Sequence, residues 1–305
     1  MTVVVPAHAA AAALPACLDG LRAQTLEADR FEAIVVASAE DGVAGLVGSA
    51  GFTYLEHPGP GPADRRNAGA ARARGRVLAF LDADCAPEPG WLEAGLEAIE
   101  GGAEVVQGRV TPPEGQPLSP FGHQIWVTGP SPRYESCNIL YARELFDALG
   151  GFPTHLFEQV GEPFGEDALL GVLARRAGAR IEFSERAAVR HEASPPDLER
   201  HLREQLRLRH YPALAREAPE LRRAMLCGLF LGPRTLAGWA LVAALLGPRT
   251  LRRPLAAAYL GHALLRRPRR TPLATVRNLP LHALSDLVAI GALAWGSIRH
   301  RTPVL

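Results

Sequence analysis

The apolar run VLAFL (77–81) ends in Asp82-Ala83-Asp84. Two carboxylates one residue apart at a strand exit form the kind of oxygen set that a hard divalent cation, Mg²⁺ or Mn²⁺, accepts. Residues two apart in a strand point the same way, so Asp82 and Asp84 are expected to aim at one point. A cation held there would neutralise phosphates. The plain alternative is that a buried strand must end in something polar, and spacing alone does not separate the two readings.

The surrounding elements give the pair a setting. TVVV (2–5) reads as a strand broken at Pro6, followed by a helix over 10–24 with Leu14, Leu18 and Leu21 at helical spacing. FEAIVVAS (31–38) and FTYLEH (52–57) read as strands around a short helix, and PGPGPADRRNAG as a loop running into a helix near Asp64. After RVLAFLDAD come an amphipathic helix (91–100), a strand (103–111) and a Pro/Gly-rich loop (112–133) containing Trp126. Next come a helix in NILYARELFDALGGF ended by Gly150-Gly151, a helix opening at Glu166-Asp167, and a strand pair ending at His191. Alternating strands and helices predict an α/β fold with a mostly parallel open sheet flanked by helices. In such sheets ligands bind beyond the carboxyl ends of the strands, where Asp82 and Asp84 stand.

Composition divides the chain in two. The 305 residues carry a net charge of +1 and contain no Lys. From Leu221 to Leu305 there are 13 Arg and one acid, Asp286, a net of +12, so residues 1–220 carry about −11. The first part reads as a soluble catalytic body and the second as something that sits on an anionic surface. The expected boundary separates a catalytic domain, 1–210, from a C-terminal helical, apolar and basic region, 211–305. Four scattered Cys without a C-x-x-C pair argue against a zinc knuckle or a disulfide framework and fit a reducing compartment. Met1 leads straight into Val3-Val4-Val5 without a basic segment, so no secretory signal is expected.

Over residues 2–210 the chain resembles the family 2 glycosyltransferases of GT-A fold. The resemblance rests on VVVPAH with LPACLDGLRAQ, on RRNAGAARARGRVLAFLDADCAPEPGWL, on CNILYARELFDALGGF, on FGEDALLGVLARRAG and on AAVRHE, five segments in family order. It implies Asp84 as the metal-binding Asp, Asp82 facing ribose and metal, and His191 completing the metal site. It further implies Asp167 as the base for the acceptor hydroxyl, with Arg66 and Asn67 near the nucleotide and Pro6 and Ala83 among the donor-binding positions. Single displacement with inversion follows. The chemistry agrees: a departing diphosphate needs its charge stabilised, and an attacking hydroxyl must lose a proton. Asp167 and Glu166 are also simply first-turn acids favourable to a helix dipole, and His191 a histidine at a strand end.

The chain departs from the family in two places. Ala37 and Ser38 stand where the second strand usually ends in an Asp touching the base, leaving Asp41 as the candidate for a related role. Processive members carry Gln-x-x-Arg-Trp; here REQLRLRHY (203–211) has Gln205, Arg207 and Arg209 but no Trp, so transfer of a single sugar is expected.

In the basic part, residues 224–247 are apolar over a length that could cross a bilayer, interrupted by Pro233 and Arg234, and 279–298 form a second apolar stretch. Membrane association on the cytoplasmic face is expected, as a short hairpin or as interfacial helices, with LRRPL and LLRRPRRTP towards anionic lipid. Nucleic acid is not an expected partner, because the segments between the Arg residues are apolar. A lipid-linked or glycan acceptor fits that location. Three rivals stand beside the transferase. A HAD-type phosphatase would open the domain with its Asp-x-Asp. A sugar nucleotidyltransferase needs a Gly-rich first turn that VVVPAHAAAA lacks. A degenerate nucleotide-sugar-binding protein would explain the altered second strand.

Overall fold

The computed structural model describes residues 1–59, 61–116, 121–156, 161–265 and 277–305. It divides into two compact units, Met1–Pro196 and Asp197–Leu305.

The first unit is built on an eight-stranded sheet of order β3-β2-β1-β4-β7-β6-β8-β5. Its strands are β1 (Thr2–Pro6), β2 (Glu32–Ala37), β3 (Thr53–Glu56), β4 (Val77–Leu81), β5 (Cys85–Pro87), β6 (Val105–Thr111), β7 (Asn138–Ala142) and β8 (Ile181–His191). The pairings β3–β2, β2–β1, β1–β4 and β6–β8 are parallel; β4–β7, β6–β7 and β5–β8 are antiparallel. Four of the seven pairings are thus parallel, as expected, and the three antiparallel ones make the sheet mixed. The helix expected in NILYARELFDALGGF covers Arg143–Ala148, and the run NILYA before it, given no strand from sequence, is the antiparallel strand β7 inserted between β4 and β6. The expected strand pair before His191 is one strand, β8, whose register against β6 jumps at Gly108/Arg109 through a bulge.

Packing explains the continuous apolar runs. Every residue of β4 is buried, as a strand covered on both faces must be. Val3 and Val5 face one core with Leu14, Leu18, Leu21, Trp91 and Leu92. Val4 faces the other with Phe80, Tyr141, Phe146 and Phe152. The helices over the sheet include α1 (Leu14–Arg22), α2 (Ala44–Ser49), α3 (Pro62–Arg72), α4 (Trp91–Glu100), α5 (Arg143–Ala148) and α6 (Glu166–Arg176). Helix α3 approaches the sheet so closely at Gly69 that an added Cβ would lie 2.4 Å from Val4 Cγ1. Phe80 stacks edge-on with Phe152 at 4.9 Å between ring centroids.

The second unit contains α7 (Leu198–Arg207), α8 (Tyr211–Glu217), α9 (Pro233–Leu246), α10 (Arg249–Leu265) and α11 (Leu279–His300). Asp197 caps α7 by accepting from Arg200 N at 3.0 Å. The apolar stretch 224–247 is not one long helix: Leu226 and Phe230 close a turn, and α9 covers 14 residues. Pro233 and Arg234 fall in its first turn, where Pro is tolerated, so they open the helix and do not interrupt it. Arg234 Nε donates to Asp286 Oδ1 at 2.5 Å and Tyr259 Oη donates to Asp286 Oδ2 at 3.0 Å, so these polar groups satisfy one another between helices. The last residues fold back, with Leu231 N donating to Leu305 O and Leu305 N to Leu229 O. Arg207 lies at the end of α7 and Arg209 donates to His210 Nε2, both in this unit. The basic residues 266–272 lie outside the described residues.

Candidate active site

The site is assembled at the carboxyl end of β4. The strand stops at Leu81, and Asp82 to Cys85 form a turn closed by Cys85 N donating to Asp82 O at 3.0 Å. Asp82 and Asp84 are therefore not alternate residues of a strand aiming at one point. Each carboxylate turns to its own partner, and the turn is the reason. Ala83, between them, is buried.

Asp82 Oδ1 accepts from Arg66 Nη2 at 2.6 Å. Arg66, on α3, is 4% exposed in its side chain, with Nη1 3.7 Å from Glu166 Oε1 and its guanidinium 5.5 Å from the centre of the Phe152 ring. Its position thus joins the end of β4 to the start of α6. Asn67 clamps Phe152 in both directions: its Nδ2 donates to Phe152 O at 2.9 Å and its Oδ1 accepts from Phe152 N at 2.8 Å. Asn67 is thus bonded to protein on both its amide atoms, while Arg66 Nε and Nη1 have no hydrogen-bond partner among the described residues.

Asp84 is half exposed, and its Oδ2 lies 3.5 Å from His191 Nε2. The β5–β8 ladder sets this pair, because Cys85 stands directly opposite His191. The His191 ring is buried, and its Nδ1 has no hydrogen-bond partner among the described residues. Cys85 completes a potential metal-ligating group with Asp84 and His191. Burial and the Cys137 side chain push the Cys85 thiol well up, which disfavours the thiolate a metal requires. The donor set that remains, a carboxylate oxygen and a buried imidazole nitrogen, fits a divalent cation. Their 3.5 Å separation is compatible with neighbouring ligands at about 2.1 Å from one ion.

Asp167 follows Gly165, whose φ of +72° turns the chain into α6. Its Oδ1 accepts from Ala168 N at 2.8 Å. Burial and the adjacent Glu166 carboxylate push its pKa up to about 7. A cavity of about 230 Å³ opens beside Glu166, with Pro62, Pro153, Leu156 and Phe164 in its walls.

Pro6 ends β1, opposite Val36. Asp41 is consumed locally. Its Oδ1 accepts from Ala9 N at 2.8 Å, and its Oδ2 accepts from Ser38 N and Oγ at 2.9 and 2.8 Å. His8 Nδ1 lies 3.3 Å from Oδ1. Burial opposes the charge, but these donors hold the carboxyl down at about 2. Asp41 thereby ties the loop after β1 to the loop after β2, with Ala9 at a φ of +48°. Glu166 is the residue of this group whose contact with Arg66 the sequence reading missed; its only signal was adjacency to Asp167.

A family model described as Glycosyl transferase family 2 matches residues 2–156, just over half of the chain, and the chain belongs to that family. It is a glycosyltransferase of the GT-A type. Glycosyltransferase AglE of Haloferax volcanii is 28% identical over 211 residues, 64% of this chain and 67% of that one. The mannosyltransferase PcManGT from Pyrobaculum calidifontis, in complex with GDP-Man and Mn²⁺, matches at a TM-score of 0.59 and 21% identity, over 98% of this chain and 86% of that chain. TarS of S. aureus in complex with UDP-GlcNAc matches at 0.52 and 14% identity, over 99% and 92%. At these identities the two structures speak for the fold.

Proposed function

We propose that the protein transfers a single sugar from a nucleotide-sugar donor to an acceptor hydroxyl, with inversion, and depends on a divalent metal, Mg²⁺ or Mn²⁺. The observation that carries the reading is the arrangement at the end of β4: Asp84 paired with a buried His191, and Asp82 held by a buried Arg66 that also reaches the helix carrying Asp167. The donors crystallised with the two structural relatives, GDP-Man and UDP-GlcNAc, support a nucleotide sugar as the donor class.

In this reading Asp84 and His191 would hold the cation. Bound there, it would offset charge developing on the departing diphosphate. Asp82 faces the ribose, held in place by Arg66. Pro6 and the backbone at Ala83 border the donor, Asp41 and Asn67 act as positioning residues because their polar atoms face protein partners, and Arg66, through its Nη2, positions Asp82 beside the nucleotide. Asp167 takes the proton from the acceptor hydroxyl as that oxygen bonds to the anomeric carbon. The bond from that carbon to the diphosphate breaks on the opposite face, and the diphosphate leaves with the electron pair. A base with a pKa near 7 suits this step. The apolar cavity beside Glu166 and the basic C-terminal region support a membrane-side acceptor, a lipid-linked or cell-envelope glycan, met at the cytoplasmic face.

Thermal shift with a panel of nucleotide sugars, with and without Mn²⁺, tests the reading on wild type and Asp84→Ala. A metal-dependent shift that disappears in the variant supports it and names the donor. A metal-dependent shift without any turnover favours a degenerate binding protein. No shift with any donor sinks the transferase mechanism.

A further inference from the structure

Helix α11 is inside-out. It is 22 residues long, about 33 Å at 1.5 Å per residue. Its polar residues His282, Ser285 and Asp286 are buried. Its outward residues are apolar: Leu281 and Leu284 are 36% and 44% exposed, Trp295 and Ile298 53% and 80%. At 100° per residue these four fall on one stripe running almost the length of the helix. Exposed Arg277 and Arg299 stand at its two ends, with Arg301 just beyond. Leu246, Leu260 and Leu264 on α9 and α10 are also exposed.

We propose that the outer face of α11 is an interfacial surface for an anionic lipid bilayer, with the helix lying in the membrane plane, one face immersed, and not crossing the bilayer. This deepens the membrane association read above and rests on it. Length alone permits α11 to span. Its neighbours forbid it. His201 Nε2 on α7 is bonded to Ser285 Oγ at 2.9 Å, so α7 runs against α11. Helix α7 carries Glu199 and Arg203, whose side chains are 75% and 70% exposed. A helix flanked by such charges cannot be surrounded by hydrocarbon, because each would have to leave water. Helices α9 and α10, at 14 and 17 residues, are about 21 and 26 Å long and fall short of the roughly 30 Å core. What remains is an apolar stripe with Arg at its ends, in a region whose sequence carries 13 Arg against one acid. Such a face suits the boundary between acidic headgroups and acyl chains.

The test uses the full chain with Cys227, the exposed cysteine, replaced by Ser. Single cysteines are placed at the two ends of the helix and off the stripe, as Asn278→Cys and His300→Cys. The expected result is flotation with phosphatidylglycerol-containing vesicles and not with pure phosphatidylcholine, and labelling of both cysteines by an impermeant maleimide added outside. The double variant Leu284→Glu/Ile298→Glu should lower the bound fraction about tenfold or more. Protection of one cysteine alone means that the helix crosses, and overturns the proposal. A dimer in solution that the double variant dissociates, without flotation, gives the face to a second copy. If the double variant floats like wild type, membrane association stands and this surface is wrong. If nothing floats while nucleotide sugars still raise Tm, the membrane reading fails and the transferase reading survives.

Discussion

His191 Nε2 lies 3.5 Å from Asp84 Oδ2, across a ladder that joins residues more than one hundred positions apart. A three-residue strand, β5, fixes the pair by setting Cys85 opposite His191. If these two groups share a cation, removing either should remove metal dependence. His191→Ala and Asp84→Ala should each abolish the Mn²⁺-dependent part of the donor-induced thermal shift. His191→Ala should keep any metal-independent part, because the turn that holds Asp82 is closed by backbone atoms. Cys85→Ser should leave the metal response intact, since its thiol is held protonated.

Arg66 is a buried cation between two carboxylates and an aromatic ring. Arg66→Ala leaves Asp82 and Glu166 without their shared counter-charge, and the expected cost is about 3–5 kcal/mol of stability. Arg66→Lys keeps the charge but cannot reach both carboxylates with a planar fork, so it should retain the fold and lose part of the activity. Urea unfolding beside steady-state kinetics on the two variants checks this. Equal stability of Arg66→Ala and wild type would remove the bracing role.

Much of this was legible in the sequence, for a physical reason. Strands β1, β2 and β4 are buried on both faces, so they appear as uninterrupted apolar runs with glycine and proline breaks between them. Strand β7 was hidden because NILYA runs directly into RELFDA, and an apolar run joined to a helix has no period of its own. The chemical residue types at the site were also legible, while their partners were not. Nothing local to DAD says that a turn sends Asp82 to Arg66 and Asp84 to His191. That sorting depends on α3 and β8, which lie far away in sequence. In the second unit, Arg234 reads as an interruption of an apolar stretch only because its partner Asp286 lies 52 positions away.

Asp41 holds two loops through donors on Ala9 and Ser38. Asp41→Ala should cost about 1–3 kcal/mol, as the Ala9 and Ser38 N–H groups and the Ser38 hydroxyl lose a charged acceptor. The sign with pH follows from a folded pKa near 2, below the ordinary carboxylate value of 3.8. The carboxylate stabilises the fold above the unfolded value, and this contribution is lost as pH falls through that value towards 2. Wild type and Asp41→Ala should therefore differ at neutral pH and converge near pH 2 in denaturant titrations. A constant difference would mean that side-chain packing, not charge, ties the loops.

Asp167 titrates near 7 because burial and Glu166 disfavour its charge. As the acceptor's base it must be ionised, so kcat should rise with pH through about 7 and flatten above it. Stability runs the other way. The folded state binds this proton more tightly than the unfolded state, whose carboxyl titrates near the ordinary value of 3.8. The native fold therefore loses stability as pH rises from about 4 to 7. Asp167→Asn removes that charge with little change of shape. It should lower kcat by about 10²–10⁴-fold while raising Tm at pH 8 and leaving Tm at pH 4 nearly unchanged. Glu166→Gln should shift the kcat limb to lower pH, since it removes the charge that opposes ionisation of Asp167. If Asp167→Asn loses activity and also loses stability at pH 8, the residue is a structural cap of α6, and another group must take the proton.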